Sequence, residues 1–576
     1  MIVKICEKRQ SILDAGGHCL VMGGPGSGKT TLALLKALAR IDAGLRPSQE
    51  VLFLSFSRAA VARIRDAVRG QIRFDKAGAL AVQTFHSFFW QILRSHGYLL
   101  GAPRQLSVIL AHDEKAMCNG IERDHADWKA WEEQRLALFQ EKGQVCFDLF
   151  APLTAQLLRH AKRLRSRVSC RYPLILVDEA QDTSGDQWEC VKLLAEKSQV
   201  ICLADPNQMI YDFIPGVGPQ RIVDIKGTLN PLEVDFASEN NRSPSTEIAA
   251  FGRDILHGAV RGSPYKGVSR IRFRSKAEDR DRSIRRSIGI LSNRISAETG
   301  VPPESMAVIA AYGHGVAVVS SALQTDPPIS HQVLFDEAFA LLSSRVAAFL
   351  MEPKVSAQRF ADVAVLLELI GAAFRAKGNK GALEQYAKCE KYAKECRTRL
   401  IPNVKIARAA DLLVQRATAR ALTGDPRQDW TTVKQEVRLA DDAAFKQIAG
   451  SLDYLVAFGR GRLICENLSA MWMAHGAYVK AREALHSALT QEQILSAGEQ
   501  LRGIHVMNMH KCKGKQFDGV VLYRQQHTSP FVWHGDVPPY PKSRKLLHVA
   551  ITRAKSRVLI LDEAMSRCPI IGPHVL

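Results

Sequence analysis

The sequence predicts an α/β protein with two cores of parallel strands, each interrupted by a helical insertion. Three observations lead to this expectation. Short apolar runs alternate with helical patterns in three stretches of the chain. Two long stretches between them have helical periodicity and little strand character. The chain has 576 residues, of which 46% are hydrophobic and 24% charged, which is enough for several cores and ordinary for a globular protein.

In the first core, five short apolar runs are typical of buried strands, at 18–22, 51–57, 80–84, 174–177 and 199–204. A helix is expected from Thr30 to about Ala43, directly after a glycine-rich turn. Between the third and fourth runs the strands stop and the pattern becomes helical and polar. We therefore expect a helical insertion between the two segments of this core.

In the second core, strand patterns occur at 271–273, 307–310, 503–507, 519–523 and 557–561. A long Ala/Leu-rich helical stretch separates the second of these runs from the third. Together the patterns predict six segments. They are 1–95 (first core, beginning), 96–165 (helical insertion), 166–235 (first core, completion), 236–330 (second core, beginning), 331–495 (basic helical insertion) and 496–576 (second core, completion).

The charge of the chain is strongly positive, with 78 Lys and Arg against 58 Asp and Glu and a formal net charge of +20. This excess indicates a polyanionic partner, although a merely basic protein has the same composition. No apolar run reaches the roughly 18 residues of a membrane span. The twelve cysteines are scattered and form no C-x-x-C pair. We expect no membrane partner and a cytoplasmic protein with reduced thiols, bacterial or phage-encoded.

A phosphate loop lies between the first strand and the first long helix. Its sequence fits G-x-x-x-x-G-K-[ST], in which backbone N–H groups wrap the phosphates, the lysine adds a charge and the hydroxyl binds Mg²⁺. The strand–loop–helix context makes this motif specific. The residues expected to bind the nucleotide here are Gly23, Gly24, Pro25, Gly26, Ser27, Gly28, Lys29, Thr30 and Thr31.

Two carboxylates, Asp178 and Glu179, follow the strand at 174–177. A phosphate loop needs a carboxylate at a strand end to hold the metal. We expect Asp178 to bind Mg²⁺ together with Thr30, mostly through water. Glu179 is expected to polarise the attacking water as general base.

Further motifs follow in a fixed order: T-F-H-S at 84–87, D-E-A-Q-D at 178–182, D-P-N-Q-M-I-Y-D-F at 205–213, N-N-R-S at 240–243, N-M-H-K-C-K-G-K-Q-F at 508–517 and V-A-I-T-R-A-K at 549–555. With these motifs in this order, the chain resembles the UvrD/Rep/PcrA group of superfamily 1 DNA helicases. The resemblance implies two RecA-like P-loop domains with parallel sheets and ATP as the nucleotide. It also implies single-stranded DNA and single/double-strand junctions as partners, with 3′→5′ movement.

The resemblance further implies roles for individual residues around the nucleotide. Gln10 is similar to the glutamine that reads adenine, and Gln516 to a residue that contacts the ribose. Gln208 is expected to sense the γ-phosphate. Arg242 and Arg553 are expected to reach that phosphate from the second core, so that hydrolysis depends on closure of the cleft.

The DNA contacts implied by the resemblance are partly aromatic. Aromatic faces stack on any base, so they suit a grip that does not depend on sequence. For Phe213 a place in the core remains the alternative. The residues implied are Phe56, Thr84, His86, Tyr211, Phe213 and His510.

Three positions depart from the family's pattern. Asn241 stands where the family usually has a tyrosine that stacks on adenine, Asn508 replaces a threonine, and Gln516 replaces a glutamate. These changes concern nucleotide affinity and base selectivity. The residues expected to hydrolyse ATP are all present.

Two basic segments, 158–171 and 375–408, suit contact with phosphate backbones, which gives affinity without sequence information. A solvated surface is the alternative for each. Only 23 residues follow Arg553, and we expect no DNA cleavage by this chain.

The leading hypothesis is an ATP-dependent single-stranded DNA translocase and 3′→5′ helicase acting in DNA repair or anti-phage defence. Compact chains of this kind resemble stand-alone repair helicases and also the helicase-like subunit of Gabija-type anti-phage systems. The alternative is an ATP- and DNA-responsive regulatory subunit with little unwinding activity, working with a separate nuclease or repair protein. A P-loop transporter or signalling switch does not explain the 84–88 and 549–555 motifs.

Overall fold

The protein is described from a computed structural model that covers residues 5–56, 60–62, 64–65, 78–210, 216–236, 239–334, 338–456, 460–495 and 501–576. The chain forms two compact units. The α/β unit comprises Met1–Leu93, Ala151–Leu334 and Ser496–Leu576. The helical unit comprises Arg94–Phe150 and Phe335–Leu495.

Strands of the described residues form two six-stranded sheets and one two-stranded sheet. In chain order the strands are β1 (Cys19–Met22), β2 (Val51–Ser55), β3 (Leu80–Thr84), β4 (Ser107–Ile109), β5 (Gln144–Cys146), β6 (Leu174–Val177), β7 (Gln199–Ala204), β8 (Leu232–Asp235), β9 (Val268–Phe273), β10 (Ser305–Ala310), β11 (Gln332–Leu334), β12 (Gly503–Asn508), β13 (Phe517–Arg524) and β14 (Ala554–Glu563).

Helices accompany both large sheets and make up most of the helical unit. The α-helices whose bounds fall within the described residues are, in chain order, α1 (Glu7–Asp14), α2 (Lys29–Asp42), α3 (Phe85–His96), α4 (Ala111–Met117), α5 (Trp128–Lys142), α6 (Phe150–His160), α7 (Lys162–Arg171), α8 (Gly185–Ala195), α9 (Gln220–Leu229), α10 (Ile248–His257), α11 (Ala277–Thr299), α12 (Gly313–Gln324), α13 (Ala338–Met351), α14 (Arg359–Arg375), α15 (Lys380–Arg397), α16 (Lys405–Ala419), α17 (Pro426–Arg438), α18 (Ala443–Val456), α19 (Arg460–His475), α20 (Ala481–Leu495) and α21 (Pro541–Ile551).

The first large sheet has the order β3-β2-β6-β7-β1-β8, and every neighbouring pair is parallel. Its central strands are continuous apolar runs because both faces of a parallel sheet are covered. In the register, Met22 lies opposite Ala204 and Leu54 opposite Val177. The residues that follow β1, β6 and β7 therefore meet at one edge of the sheet.

The second large sheet has the order β11-β12-β10-β13-β14-β9 and is also parallel throughout. Helix α11 packs on β13, β14 and β9, while α21 packs on α10. The two sheets with their helices confirm the predicted fold class, two RecA-like α/β domains with parallel sheets. The helical unit consists of one segment from within each domain.

Several elements differ from the sequence-based expectations. The expectation that 96–165 contains no strand is wrong, because β4 and β5 pair in parallel. Strands of three residues are too short to show a hydrophobic period. Residues 151–165 lie in the α/β unit rather than in the insertion, and β11, expected in the second insertion, pairs with β12.

The helical unit joins the two insertions directly. Helix α4 packs against α13 and α14. Arg345 Nη1 lies 2.6 Å from Asp113 Oδ1, and Arg375 Nε donates to Asn119 Oδ1 at 2.6 Å. The two insertions thus share one interface although they are far apart in sequence. Among the described residues, no helix combines the length and apolar character that crossing a bilayer requires.

Candidate nucleotide site

A cavity of about 360 Å³ opens at the edge where β1, β6 and β7 end. Its lining comes from both α/β domains. Most of the nucleotide-site residues predicted from the sequence line it: Gly24, Pro25, Gly26, Ser27, Gly28, Lys29, Thr30, Thr31, Asp178, Glu179, Gln208, Arg242, Gln516 and Arg553.

The phosphate loop requires glycine at two positions. Gly28, which precedes α2, has φ 89°, and Gly26 has φ 83°, a left-handed backbone that favours glycine. A Cβ at Gly26 would also lie 2.7 Å from Arg242 Cβ. Lys29 Nζ donates to the carbonyl oxygens of Gly23 and Gly24, the latter at 3.2 Å. The loop is therefore a tight backbone cradle at the N-terminus of a helix, which is a favourable place for phosphate.

The two carboxylates after β6 have different environments. Asp178 is buried, and its Oδ1 accepts the Glu179 N–H at 3.2 Å. Glu179 has φ 53°, a strained conformation for a residue with a side chain. Burial opposes its charge, but the nearby Lys513, Lys29 and Arg553 hold the pKa of Glu179 below its usual range. The nearby cations thus favour the carboxylate form of Glu179, which is the form that can accept a proton.

Lys513 is a site residue whose role was not predicted from the sequence. It is buried, and its Nζ contacts the carboxylate of Asp182 and the backbone oxygen of Gln208. The same Nζ lies 3.8 Å from Glu179 Oε2. Burial raises the pKa of Asp182 to about 7, and Lys513 opposes this rise. One cation of the second domain therefore contacts two catalytic motifs of the first.

Gln208 and Arg553 also join the two domains. Gln208 Nε2 donates to Asp205 Oδ2 at 2.5 Å, and its Oε1 accepts from Arg553 Nη2. Arg553 is only 2% exposed, and its Nε donates to the Val549 oxygen at 2.8 Å. The structure therefore brings these two predicted residues into direct contact at the cavity.

Arg242 lies on the segment that connects the two domains. Its Nη1 donates to the Thr552 oxygen at 2.6 Å, next to Arg553. The preceding Asn241 donates its backbone N–H to the Gly26 oxygen at 2.7 Å. These contacts tie the connecting segment to the phosphate loop on one side and to the 549–555 motif on the other.

The donor groups of the cavity fit a triphosphate with Mg²⁺. Among the described residues, Ser27 Oγ and Asn241 Nδ2 are buried and have no hydrogen-bond partner. No cluster of three or more His, Cys, Asp or Glu within those residues could hold a metal by itself. The two predicted ligands, Thr30 and Asp178, both line the cavity, and their oxygen atoms are the kind of donor that Mg²⁺ takes beside phosphate oxygens.

Two predicted nucleotide residues lie outside the lining. Gln10 is exposed, and its Nε2 donates to Asp14 Oδ1 at 2.9 Å. Gly23 donates its backbone N–H to the Ala204 oxygen at 3.2 Å, which extends the β1–β7 pairing into the loop. Arg9, beside Gln10, is buried and donates to the Ser27 oxygen at 3.3 Å. Arg9 thus supports the loop, and nothing in the motif marked it in advance.

The predicted DNA contacts are dispersed. Phe56 lines the nucleotide cavity, with its ring 4.8 Å from that of Phe85. Thr84 is buried, and its Oγ1 accepts the Ser87 N–H at 3.1 Å at the start of α3, while His86 is half-buried on the same helix. Tyr211 and Phe213 lie outside the described residues. These DNA roles stay predictions.

His510 belongs to an aromatic group that was not anticipated from the sequence. Its ring lies edge-on to Trp533, with centroids 6.2 Å apart, and Tyr312 packs on the same tryptophan at 5.3 Å. Trp533 is 44% exposed. An exposed tryptophan beside a predicted DNA contact offers a surface on which bases can stack.

The chain matches two family models in order. Residues 6–144 and 137–217 match the UvrD/REP helicase N-terminal domain, and residues 503–561 match the UvrD-like helicase C-terminal domain. These segments contain the phosphate loop, the carboxylates and the late arginine motif.

Curated relatives are similar to parts of the chain. A putative ATP-dependent DNA helicase, YjcD, of Bacillus subtilis is 25% identical over 41% of this chain and 36% of its own length. The ATP-dependent DNA helicase Rep of Escherichia coli is 24% identical over 41% of each chain. PcrA of Staphylococcus aureus is 24% identical over 44% of this chain and 40% of its own length. The matches thus span about two fifths of each relative.

A solved chain from a study of DNA unwinding by Pif1 helicases is 15% identical, with a TM-score of 0.21, over 45% of this chain and 50% of that one. That similarity is too low to support an argument about fold, which rests on the sheet topology. The two family models, the order of the motifs and the curated relatives identify the chain as a UvrD-like member of the superfamily 1 helicases.

Proposed function

We propose that the chain is an ATP hydrolase that moves along single-stranded DNA in the 3′→5′ direction and separates duplexes at single/double-strand junctions. The observation that supports this proposal most directly is the pair of second-domain cations, Lys513 and Arg553, that contact catalytic groups of the first domain. Such an arrangement makes hydrolysis sensitive to the relative position of the two domains.

In the proposed reaction, the phosphate loop and Lys29 hold the triphosphate of ATP. Mg²⁺, held by Thr30, Asp178 and the phosphates, would supply a positive charge that neutralises the phosphate oxygens. Gln208 orients a water molecule, and Glu179 accepts its proton. The water oxygen bonds to the γ-phosphorus while the bond to the bridging β–γ oxygen breaks, which yields ADP and phosphate.

Two arginines complete the charge clamp. Arg242 and Arg553 would stabilise the negative charge on the equatorial oxygens in the transition state. Because Arg553 reaches the cavity from the second domain, release of phosphate removes its counter-charge and weakens the contact between the domains. Repeated closing and opening of this kind is the physical basis of stepping along a strand.

The test compares hydrolysis with unwinding. DNA-stimulated phosphate release should be measured together with strand separation of 3′-tailed and 5′-tailed duplexes. We expect the strands of the 3′-tailed duplex to separate, and to do so only when ATP is present. Stimulated hydrolysis without separation of either substrate would favour the regulatory alternative. The biological setting, DNA repair or anti-phage defence, is part of the same proposal, and the bacterial origin of the relatives supports bacterial cells as the place where the chain acts.

A further inference from the structure

The end of β9 and the first turns of α11 carry an unusually dense group of cations. Between residues 270 and 286 there are eight Arg and Lys against three acids, Glu278, Asp279 and Asp281. This segment belongs to the second α/β domain and lies outside both basic segments noted from the sequence. It also lies outside every motif used for the proposed function.

Three of the eight cations are engaged within the fold. Arg270 donates to the carbonyl oxygens of Ile571 and His574, both at 3.4 Å. Arg280 pairs with its neighbour Asp281 at 2.7 Å. Arg285 donates to the Thr325 oxygen at 3.0 Å and to other carbonyls at the end of α12. These three have structural roles.

The other five cations are exposed: Arg272, Arg274, Lys276, Arg282 and Arg286. The Arg282 side chain is 76% exposed, and its nearest carboxylate, Asp279, is 3.8 Å away. The side chains of the other four make no hydrogen bond and no ion pair within 4.0 Å among the described residues, and Arg272 lies opposite Asp562 of β14 in the register of the sheet. We call these five residues the β9–α11 basic patch. Their charges are available to attract an anionic partner.

The position of the patch relates it to the predicted DNA contacts. In the parallel second sheet, β12 ends at Asn508, just before His510, and β9 ends at Phe273, just before Arg274. The patch and the His510–Trp533 aromatic group therefore begin at the same edge of the sheet. The order β12-β10-β13-β14-β9 places four strand spacings between them, roughly 19 Å at about 4.8 Å each.

We propose that the β9–α11 basic patch is a second contact for the phosphate backbone of a DNA single strand, which continues from the aromatic group along this edge. The inference rests on the proposed function. At about 3.4 Å per nucleotide, about six nucleotides of a stacked strand span the distance. Arginine suits the site because its planar guanidinium binds phosphate in a bidentate manner.

A nucleic acid fits the patch better than an acidic protein does. Protein interfaces generally have an apolar centre with aromatic anchors. The exposed residues between 272 and 286 include no aromatic and no branched apolar side chain; they are Arg272, Arg274, Ser275, Lys276, Ala277, Glu278, Arg282 and Arg286. A surface dominated by charges is typical of contact with a phosphate backbone.

The experiment measures nucleotide-free binding of oligothymidylates of about 8 and about 20 nucleotides, by fluorescence anisotropy over a range of salt concentrations. The patch variant carries Arg274→Gln, Lys276→Gln and Arg282→Gln. The control variant carries Arg46→Gln, Lys142→Gln and Lys197→Gln, three exposed but scattered cations, so that both variants lose the same charge. A blunt duplex of about 20 base pairs is a third ligand.

We expect the patch variant to lose about tenfold in affinity for the long oligonucleotide and to lose little for the short one. The slope of its salt dependence should become shallower by about 0.7 for each phosphate that the protein no longer neutralises. The control should change less than about threefold for either length.

Equal losses of affinity for the long oligonucleotide in the patch and control variants would overturn the proposal. A patch variant that loses affinity for the duplex alone would also overturn it. If the unmodified protein binds none of these DNAs, the proposed function fails instead. The two failures are thus distinguishable.

Discussion

The two α/β domains contribute different chemistry to the nucleotide cavity, the first from the carboxyl edge of its sheet and the second from residues such as Gln516 and Arg553 that directly precede β13 and β14. The edge of the first sheet carries a glycine cradle and the carboxylates Asp178 and Glu179. The second domain contributes cations to the same cavity, chiefly Lys513 and Arg553. The first domain therefore holds the groups that bind a nucleotide and activate water, whereas the second domain supplies the charges that neutralise them.

This division shows why one fold can occur twice in a chain without duplicating the site. A parallel sheet brings strand ends together, but the residues next to those ends decide what the edge does. In this chain each half of the site is electrostatically incomplete without the other. A variant that removes a charged group from one side should therefore disable the whole site.

The first prediction concerns the first domain. Lys29→Ala and Glu179→Gln should each reduce ATP hydrolysis by more than about 10³-fold, because they remove the phosphate counter-charge and the proton acceptor. Binding of single-stranded DNA without nucleotide should persist. Phosphate release and oligonucleotide anisotropy measure the two properties. Turnover within a few fold of the unmodified protein for both variants would contradict the site assignment.

The second prediction concerns the arginines that approach from the other side. Arg553→Ala should slow hydrolysis on the order of 10³-fold while ATP binding changes only a few fold. Arg242→Ala should behave alike, and the double variant should be barely worse because the two act as one clamp. Arg557→Ala, which removes an ion pair between β14 and Glu298, is the matched control. Normal hydrolysis by Arg553→Ala would refute the two-domain mechanism.

The third prediction concerns the buried contact between the domains. Lys513→Ala would leave the buried Asp182 unpaired, which is costly to folding. We therefore expect the double variant Lys513→Met with Asp182→Asn to fold and to lose about 10- to 100-fold in DNA-stimulated hydrolysis. Asp182→Asn alone should lose less, because Lys513 still contacts Gln208. Thermal unfolding checks that the fold is kept, and unchanged stimulation by DNA would exclude a coupling role for Lys513.

The sequence predicted what depends on local patterns. The phosphate loop, the strand before Asp178 and the order of the motifs indicated the fold class, which the structure confirms. The short strand β4 was missed because three residues show no period. Lys513 was missed because its partner Asp182 is 331 positions away in the chain. A contact over such a distance exists only once the two sheets have formed.

The difference between local sequence patterns and contacts formed in the folded chain also explains the placement of Gln10 and Trp533. The adenine-reading role of Gln10 came from the resemblance and stays a prediction; in the structure its side chain donates to Asp14 on the same helix. Trp533 lies in a loop with no motif, and its relevance depends on packing against His510 and Tyr312. Spacing along the chain does not determine the direction of a side chain on a helix or loop, and for that reason these placements could not be predicted.

The fourth prediction concerns pH and the Asp182–Lys513 contact. Since burial raises the pKa of Asp182 from 3.8 to about 7, the folded protein keeps a proton that the unfolded chain releases. The retained proton stabilises the folded state. This stabilisation is fully present below about pH 4 and is lost as the pH rises through about 7. Asp182→Asn should flatten that decline. Urea unfolding midpoints at several pH values test it, and an unchanged slope in the variant would contradict the raised pKa.

The last and smallest effect concerns Asn241, for which the resemblance noted in the sequence implies a stacking tyrosine instead. Its Nδ2 is buried at the cavity without a hydrogen-bond partner among the described residues. Asn241→Tyr should raise ATP affinity about 2- to 10-fold, since an aromatic pair contributes about 0.5–1.5 kcal/mol. The maximal hydrolysis rate should change little, because base stacking is equal in ground and transition states.

The gain from Asn241→Tyr should be larger for ATP than for CTP or UTP, because purine rings offer more area for stacking. The variant Asn241→Ala removes the amide without adding an aromatic ring, so it tests whether loss of the amide alone raises affinity. It should bind ATP no better than the unmodified protein. Nucleotide titrations followed by fluorescence measure each affinity. A tyrosine variant with unchanged affinity for all three nucleotides would mean that the base does not lie beside residue 241, and that the first domain alone determines where it binds.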